Sequence, residues 1–193
     1  MNYFTADSHF SKFDESVISR DFRPFENLEE MNEKIIEIWN SQAGENDVIY
    51  HLGDFVNFNK KDTEYDSLLK LVQKINAKVV LILGNNEKRI LDYEFGGNFE
   101  EFRRYLISCG FLDVVKDSMN LKIGDNEFCL THCPVDANKE TIYNLFGHIH
   151  KCSFVKKYGF NIGVDNHYFK LFSEDDVLEL YTRLKFYDEN VYN

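Results

Sequence analysis

The sequence predicts a layered α/β fold in which strands and helices alternate, and three observations carry that expectation. Apolar runs such as "DVIYHLGD" and "KVVLILGNNE" have the length of buried strands and stop abruptly at polar residues. Other segments repeat apolar side chains at helical spacing, as Met31, Ile35, Ile38 and Trp39 do. The chain has 193 residues, 44% of them hydrophobic, which suits one domain, 1–193, with a sizeable core.

Taken in order, Tyr3–Ala6 reads as a first strand with Asp7 at its end. Asn27 followed by Glu30 is an N-cap pattern that opens the helix of Met31 to Trp39, and Gly44 closes it. "DVIYHLGD" is a strand ending at Gly53-Asp54, and Tyr65, Leu68, Leu69, Val72 and Ile75 form a second helical face. "KVVLILGNNE" is a strand followed by a loop. Phe99, Phe102 and Leu106 mark a third helix that stops near Gly110. "MNLKIGDNEFCLTH" reads as a hairpin turning at Gly124-Asp125-Asn126. "TIYNLFGHIH" is a strand entering a Gly-His loop, and "GFNIGV" is another strand. Ser173 with Asp176 caps a last helix that carries Val177, Leu178, Tyr181 and Leu184.

The bulk properties exclude several classes. A formal net charge of −11 repels a phosphate polymer over most of the surface, which argues against nucleic-acid binding. A small anionic substrate stays compatible if bound cations reverse the sign locally. "MNYFTADSHF" lacks the basic and apolar regions of a signal peptide, and no apolar run nears the roughly 18 residues of a membrane helix. The four cysteines have no framework spacing and read as reduced thiols in core or neutral roles, so a cytoplasmic protein is expected.

The strands end in a recurrent set of polar side chains: Asp7 and His9, Asp54, Asn85, His132, then His148 and His150. In a layered α/β fold, strand ends gather along one edge, where sites form. These residues offer seven nitrogen and oxygen ligands and no thiolate. Seven exceeds one tetrahedral zinc and fits two metals if a carboxylate bridges them. One such fragment is usually accidental. The ordered set is specific, since four of the six histidines fall inside it.

At these residues the sequence resembles the calcineurin-like metallophosphoesterases, whose pattern is D-x-H, G-D, G-N-H-[DE], a later His, and G-H-x-H. Here it reads "ADSH", "LGDF", "LGNNE", "LTHCP" and "FGHIH" in that order. "RPF" at 23–25, the "MNE" helix, "VIYHLGDF" and "NIGVD" at 161–165 are similar to the small bacterial and phage-type members, and the likeness runs over about residues 1–170. The resemblance implies a two-sheet β-sandwich flanked by helices, of metallo-dependent phosphatase type. It implies Asp7, His9, Asp54 and His150 as ligands of one metal, and Asp54, Asn85, His132 and His148 as ligands of a second, with Asp54 bridging. Manganese, iron or zinc would suit these donors. Two such cations can deprotonate a bridging water and stabilise the developing charge on a small phosphorylated substrate.

The chain departs from the pattern at Asn86, where the family usually has a histidine facing the leaving group. An amide donates a hydrogen bond but delivers no proton, and losing a general acid costs about 10²–10⁴ in rate. Three readings follow. The preferred one is a phosphodiesterase or phosphoanhydride hydrolase with good leaving groups; a phosphomonoesterase is the enzymatic alternative. In the second, His167 substitutes from the loop after "NIGVD", with His51 a weaker candidate inside its strand. The third is a metal-binding interaction module without catalysis.

Plainer readings accompany the rest. Lys88, Arg89 and Lys151 neighbour proposed ligands and could clamp a phosphate, although Arg89 reads as a solvated charge. Lys12 stands where relatives often have another histidine. Cys129 and Cys133 have strand parity opposite to His132 and should pack on the other face. The pairs at 60–61 and 156–157 read as solvated lysines, and Phe55 or Phe58 could line a substrate pocket. The oligomeric state has no signature in the sequence.

Overall fold

The computed structural model describes residues 1–58 and 65–184, the side chain of Leu184 excepted. The lysines at 60–61 lie outside the described residues. Strand β1 (Asn2–Thr5) leads to a short helix α1 (Ser16–Arg20) and to α2 (Leu28–Gln42). Next come β2 (Val48–His51), α3 (Tyr65–Leu69) with a 3₁₀ extension (Lys70–Lys74), β3 (Lys78–Ile82), α4 (Asn85–Phe95), α5 (Phe99–Cys109) and β4 (Asp113–Val115). The second half holds β5 (Ser118–Ile123), β6 (Asn126–Thr131), β7 (Asn144–Phe146), β8 (Val155–Lys156), β9 (Gly159–Asn161), β10 (Phe172–Ser173) and α6 (Glu174–Leu184).

Two five-stranded sheets form, in the orders β10-β1-β2-β3-β4 and β5-β6-β7-β9-β8. In the first, β1 to β4 are parallel, with Tyr3, Ile49 and Val79 in register, and β10 is antiparallel on the outer edge. In the second, β6, β7 and β9 are parallel while β5 and β8 flank them antiparallel.

Alternation along the strands assigns the core. On β3, Val79 and Leu81 meet the helices, packing with Met31, Ile35, Trp39, Leu69, Phe102 and Leu106. Ile82 faces the other way and joins Phe4, Phe128, Leu130, Leu145 and Phe160 between the sheets. The period of two therefore builds both layers of the sandwich from one strand. Val177 and Tyr181 of α6 complete the inter-sheet layer.

The expected caps form: Asn27 accepts from the Glu30 N–H at 2.9 Å, and Ser173 Oγ accepts from the Asp176 N–H at 3.1 Å. The hairpin turns at Gly124-Asp125, with Gly124 at φ +59° and Ile123 opposite Asn126. One expectation needs correction. "GNNE" is not a loop after β3 but the start of α4, so Asn85 and Asn86 are its first two residues. The helix starts without a polar N-cap side chain, because Gly84 occupies that place. Glu87 instead reaches back to the Gly84 N–H at 2.9 Å. Among the described residues no helix is long and apolar enough to cross a membrane.

Candidate metal centre

Parallel pairing puts the carboxyl ends of β1, β2 and β3 side by side, so Asp7, His9, Asp54 and Asn85 emerge along one edge. The parallel core of the second sheet does the same for His132 after β6 and for His148 and His150 after β7. Gly147 N–H donates to the His132 carbonyl at 2.9 Å within the second edge, and Val164 N–H joins the two edges by donating to the Ala6 carbonyl at 2.9 Å. Strand ends from both sheets thus open on one shallow cavity of about 560 Å³.

Five of the seven expected residues, His9, Asp54, Asn85, His148 and His150, line it, and Asp7 and His132 are buried next to them. His9 Nε2 lies 3.3 Å from His150 Nε2, and His132 Nε2 lies 3.3 Å from His148 Nδ1. One oxygen of Asp54, Oδ2, stands between the pairs, 3.6 Å from His9 Nε2 and 3.7 Å from His132 Nε2. Asp7, fully buried, groups with His9 and His150 on one side and with Asp54 and His132 on the other. The Asn85 amide lies 2.9 Å from His148 Nδ1.

The backbone is strained where these side chains turn inward. Asp7, His9, Asp54, His148 and His150 have positive φ between 45° and 72°, five of the eight such non-glycine residues described. Left-handed backbone is costly for such side chains and persists only when surroundings enforce it. Two glycines permit the approach. A Cβ on Gly84 would sit 2.4 Å from Asp54 Oδ1, and one on Gly147 would sit 2.7 Å from Asp7 Oδ2.

A second layer of contacts orients the donors. His132 Nδ1–H donates to the Leu52 carbonyl at 2.8 Å, which leaves Nε2 with its lone pair toward the cavity. His150 Nδ1–H donates to Asp165 Oδ2 at 3.1 Å, with Asp21 Oδ2 at 3.3 Å. Asp7 accepts from the His148 N–H with both oxygens, at 3.0 and 2.8 Å. Buried Glu87 accepts from the N–H groups of Gly84, Asp54, Phe55 and Val56, at 2.9 to 3.2 Å. Asn86 Oδ1 accepts from Phe58 N–H at 3.1 Å, its N–H donates to Asp54 Oδ1 at 2.8 Å, and its amide nitrogen lies 3.5 Å from His9 Nδ1.

The crowding shifts proton affinities. Burial pushes the Asp7 carboxyl up to about 6, Asp54 adding to it and His132 and His150 opposing. Burial also drives Glu87 up, to about 7, with the Asp54 charge adding, against the pull of its backbone donors. His9 is held low, first by burial and then by Arg23 and the neighbouring imidazoles, and His148 by burial and then His132, with Asp54 opposing. In His150 burial pulls down but loses to the hydrogen bond it donates to Asp165 and to the charges of Asp7, Asp21 and Asp165, so its affinity rises.

Other expectations resolve differently. His167 does not reach the cavity: its ring stacks on Phe172 at 4.1 Å and lines a separate recess with Asp176 and Arg183. Phe55 and Phe58 are not among the residues that line this cavity; both are buried, Phe55 against Phe10 and Phe111, Phe58 against Tyr65. His51 is a core residue, 2.9 Å from Ser8 Oγ and packed on Trp39 and Phe55. Lys88 pairs with Asp117 at 2.9 Å, and exposed Lys151 donates to the Phe22 carbonyl. Lys12 lies over the Phe13 ring and lines a separate groove beside α2. Arg89, read from sequence as a plain solvated charge, lines the cavity together with Arg20, and so does Cys152. The residues that sequence reasoning left without a role are Asp21, Arg23, Asp165 and Glu87. "RPF", "NIGVD" and "NNE" carried the signal for three of them.

Comparisons with known proteins add an independent finding. The sequence profile of the calcineurin-like phosphoesterases matches residues 3–189, beyond the stretch to about residue 170 that the motifs suggest. The uncharacterized protein MJ1445 of Methanocaldococcus jannaschii is 34% identical over 96 residues, 47% of this chain and 52% of that protein. The match thus spans about half the length of that relative. Among solved structures, the protein of unknown function AQ665 from Aquifex aeolicus aligns with a TM-score of 0.65 at 21% identity, covering 93% of this chain and 98% of that one, so the two share a fold. An archaeal phosphodiesterase aligns with a TM-score of 0.47 at 20% identity, covering 84% and 81%.

Proposed function

Because the chain belongs to the calcineurin-like phosphoesterase family, we propose that it is a dinuclear hydrolase of small phosphodiesters or phosphoanhydrides with good leaving groups. Membership makes it a metal-dependent phosphoesterase; the two-cation centre and the substrate class are the finer reading. The observation that carries this reading is the position of Asp54 Oδ2, 3.6 and 3.7 Å from a histidine of each pair.

The donors suit divalent cations. Two imidazole nitrogens at about 2.1 Å from one ion lie roughly 3.0–3.4 Å apart, and both histidine pairs have a nitrogen separation of 3.3 Å. Asp7, His9, Asp54 and His150 would hold one ion, and Asp54, Asn85, His132 and His148 the other. The mixed nitrogen and oxygen set admits manganese, iron or zinc. Two adjustments are needed: the Asn85 amide turns its oxygen inward in place of its nitrogen, and His9 carries its proton on Nδ1, so the 3.5 Å approach of the Asn86 amide nitrogen to that atom is not a hydrogen bond in the loaded site. Bound cations would supply Lewis acidity and an activated water.

The chain's own residues shape the rest. Arg89 stands exposed at the cavity wall, placed to meet phosphoryl oxygens. Asn86 spends its carbonyl on the Phe58 N–H and keeps its amide nitrogen toward His9. It can donate a hydrogen bond beside the leaving group and cannot protonate it. Catalysis then favours leaving groups that depart as stable anions, which points to diesters of acidic alcohols and to anhydrides rather than alkyl monoesters.

The test is hydrolysis of bis-p-nitrophenyl phosphate with added manganese, by the wild type and Asp54→Asn, beside the matching monoester. Metal-dependent diester turnover that vanishes in the variant is the expected result. A faster monoester reaction would make the protein a phosphomonoesterase. Manganese bound without turnover on any diester, monoester or nucleotide would make it a binding module.

A further inference from the structure

Arg23 is buried, and its guanidinium binds two separate pieces of chain. Nη1 donates to the Ser8 carbonyl at 2.7 Å and Nη2 to the Asp7 carbonyl at 2.7 Å. Nε and Nη2 grip both oxygens of Asp165, at 3.0 and 3.1 Å, in a bidentate fork. Both side chains have 0% exposure. Phe169 lies beneath the guanidinium, 5.7 Å away.

A buried ion pair is a poor device for stability, since well-packed apolar residues often do as well or better. This one has a geometric consequence. The two carbonyls it holds belong to the Asp7–His9 turn, where residues 7 and 9 have φ of +59° and +49°. The carboxylate it holds is the one that His150 Nδ1 donates to, and that bond aims His150 Nε2 at His9 Nε2, 3.3 Å off. One side chain thus ties the strained turn carrying Asp7 and His9 to the loop that orients His150. Among the described residues Arg23 makes no hydrogen bond or ion pair with His132 or His148; the link to that pair runs through the Asp7 carboxylate, which accepts from the His148 N–H.

We propose that Arg23 and Asp165 are a positioning pair that sets the geometry of one cation site, that of Asp7, His9 and His150, and leaves the Asn85–His132–His148 site unaffected. This rests on the two-cation reading above. Outer contacts of this kind are worth about 10–100-fold in metal affinity.

The experiment titrates manganese alone into the metal-stripped full chain and reads the two equivalents by calorimetry and by the electron paramagnetic resonance of bound manganese. Asp165→Asn leaves the Arg23 charge buried without its partner and could fail to fold. The double variant Arg23→Met/Asp165→Asn removes both charges, and its thermal midpoint in chelator reports folding. Arg23→Lys keeps the charge but not the fork. The expected result is a double variant that folds like the wild type, binds one equivalent with unchanged affinity and the other about 10–100-fold more weakly. At intermediate manganese it then shows the signal of isolated ions where the wild type shows coupled pairs. Arg23→Lys should fall between. Two equivalents at wild-type affinity in the folded double variant would overturn the proposal. Equal weakening of both would overturn it too, by making the pair a general support. A wild type that takes up no manganese would instead sink the two-cation reading beneath it.

Discussion

The two histidine pairs of the cavity are supported by different means. His132 is aimed by a backbone carbonyl, that of Leu52, and its neighbour Asn85 sits in the first turn of α4, two residues before Glu87. That side is aimed through main-chain groups, although Leu52 lies 80 residues from His132 in sequence. His150 is aimed by Asp165, which is held in turn by Arg23, 142 residues away in sequence. This second side depends on two loops meeting correctly and on two charges being buried together. A backbone carbonyl cannot be mutated away, whereas a carboxylate can. The Asp7–His9–His150 side is therefore the more easily damaged, and the more easily tuned.

The largest expected effect comes from the residue common to both sides. Asp54→Asn should lower manganese uptake below two equivalents and abolish diester turnover, measured by elemental analysis and p-nitrophenolate release. Full occupancy with wild-type turnover would show that the sides do not share a ligand. Next, Asn86→His should speed alkyl monoester hydrolysis by up to about 10²–10⁴, and p-nitrophenyl diester hydrolysis far less. Equal gains on both substrates would remove the leaving-group argument.

Glu87→Gln tests the backbone-held side. It replaces a carboxylate that accepts four N–H groups by an amide with one accepting oxygen. A cost of about 2–4 kcal/mol is expected, seen as a fall of roughly 4–16 °C in the thermal midpoint in chelator. A shift within a degree would mean that α4 holds the Asp54 loop without it.

The smallest effect concerns the floor beneath both sides. Burial holds neutral His51 down at about 3, with the His132 charge adding. The unfolded chain takes up this proton near pH 6.5, but the folded chain does not until about pH 3. His51 therefore adds no penalty above pH 6.5 and costs stability as pH falls from there toward 3. Denaturant unfolding of the metal-free protein between pH 6.5 and 4.5 should steepen with acid by up to about 1.4 kcal/mol per unit through this group. The slope should be shallower by that amount in His51→Leu; equal slopes would place His51 in water.

Much of the fold was legible because it is local. The helix of Met31 to Trp39 declares its cap and its apolar face within a dozen residues, and β2 and β3 declare themselves as apolar runs. What was misread was local too, but ambiguous. "GNNEKR" has no polar cap and few apolar residues, so only the bonds to Glu87 reveal a helix there. Phe55 follows a cavity residue, yet its ring turns into the core, because alternation near Asp54 is broken by positive φ. His167 lies two residues from Asp165 and still points elsewhere, held flat on Phe172.

By itself the sequence determined the inventory: apolar strands of the right length, and polar residues with metal-binding chemistry after five of them. Side-chain type and spacing are properties of the chain before it folds. Only the tertiary structure decided which nitrogen of each histidine faces the cavity, which carboxylate oxygen lies between the pairs, and that Arg23 would find Asp165. Those are directional contacts between distant segments. Their geometry exists only once parallel strands have brought the segments to one edge.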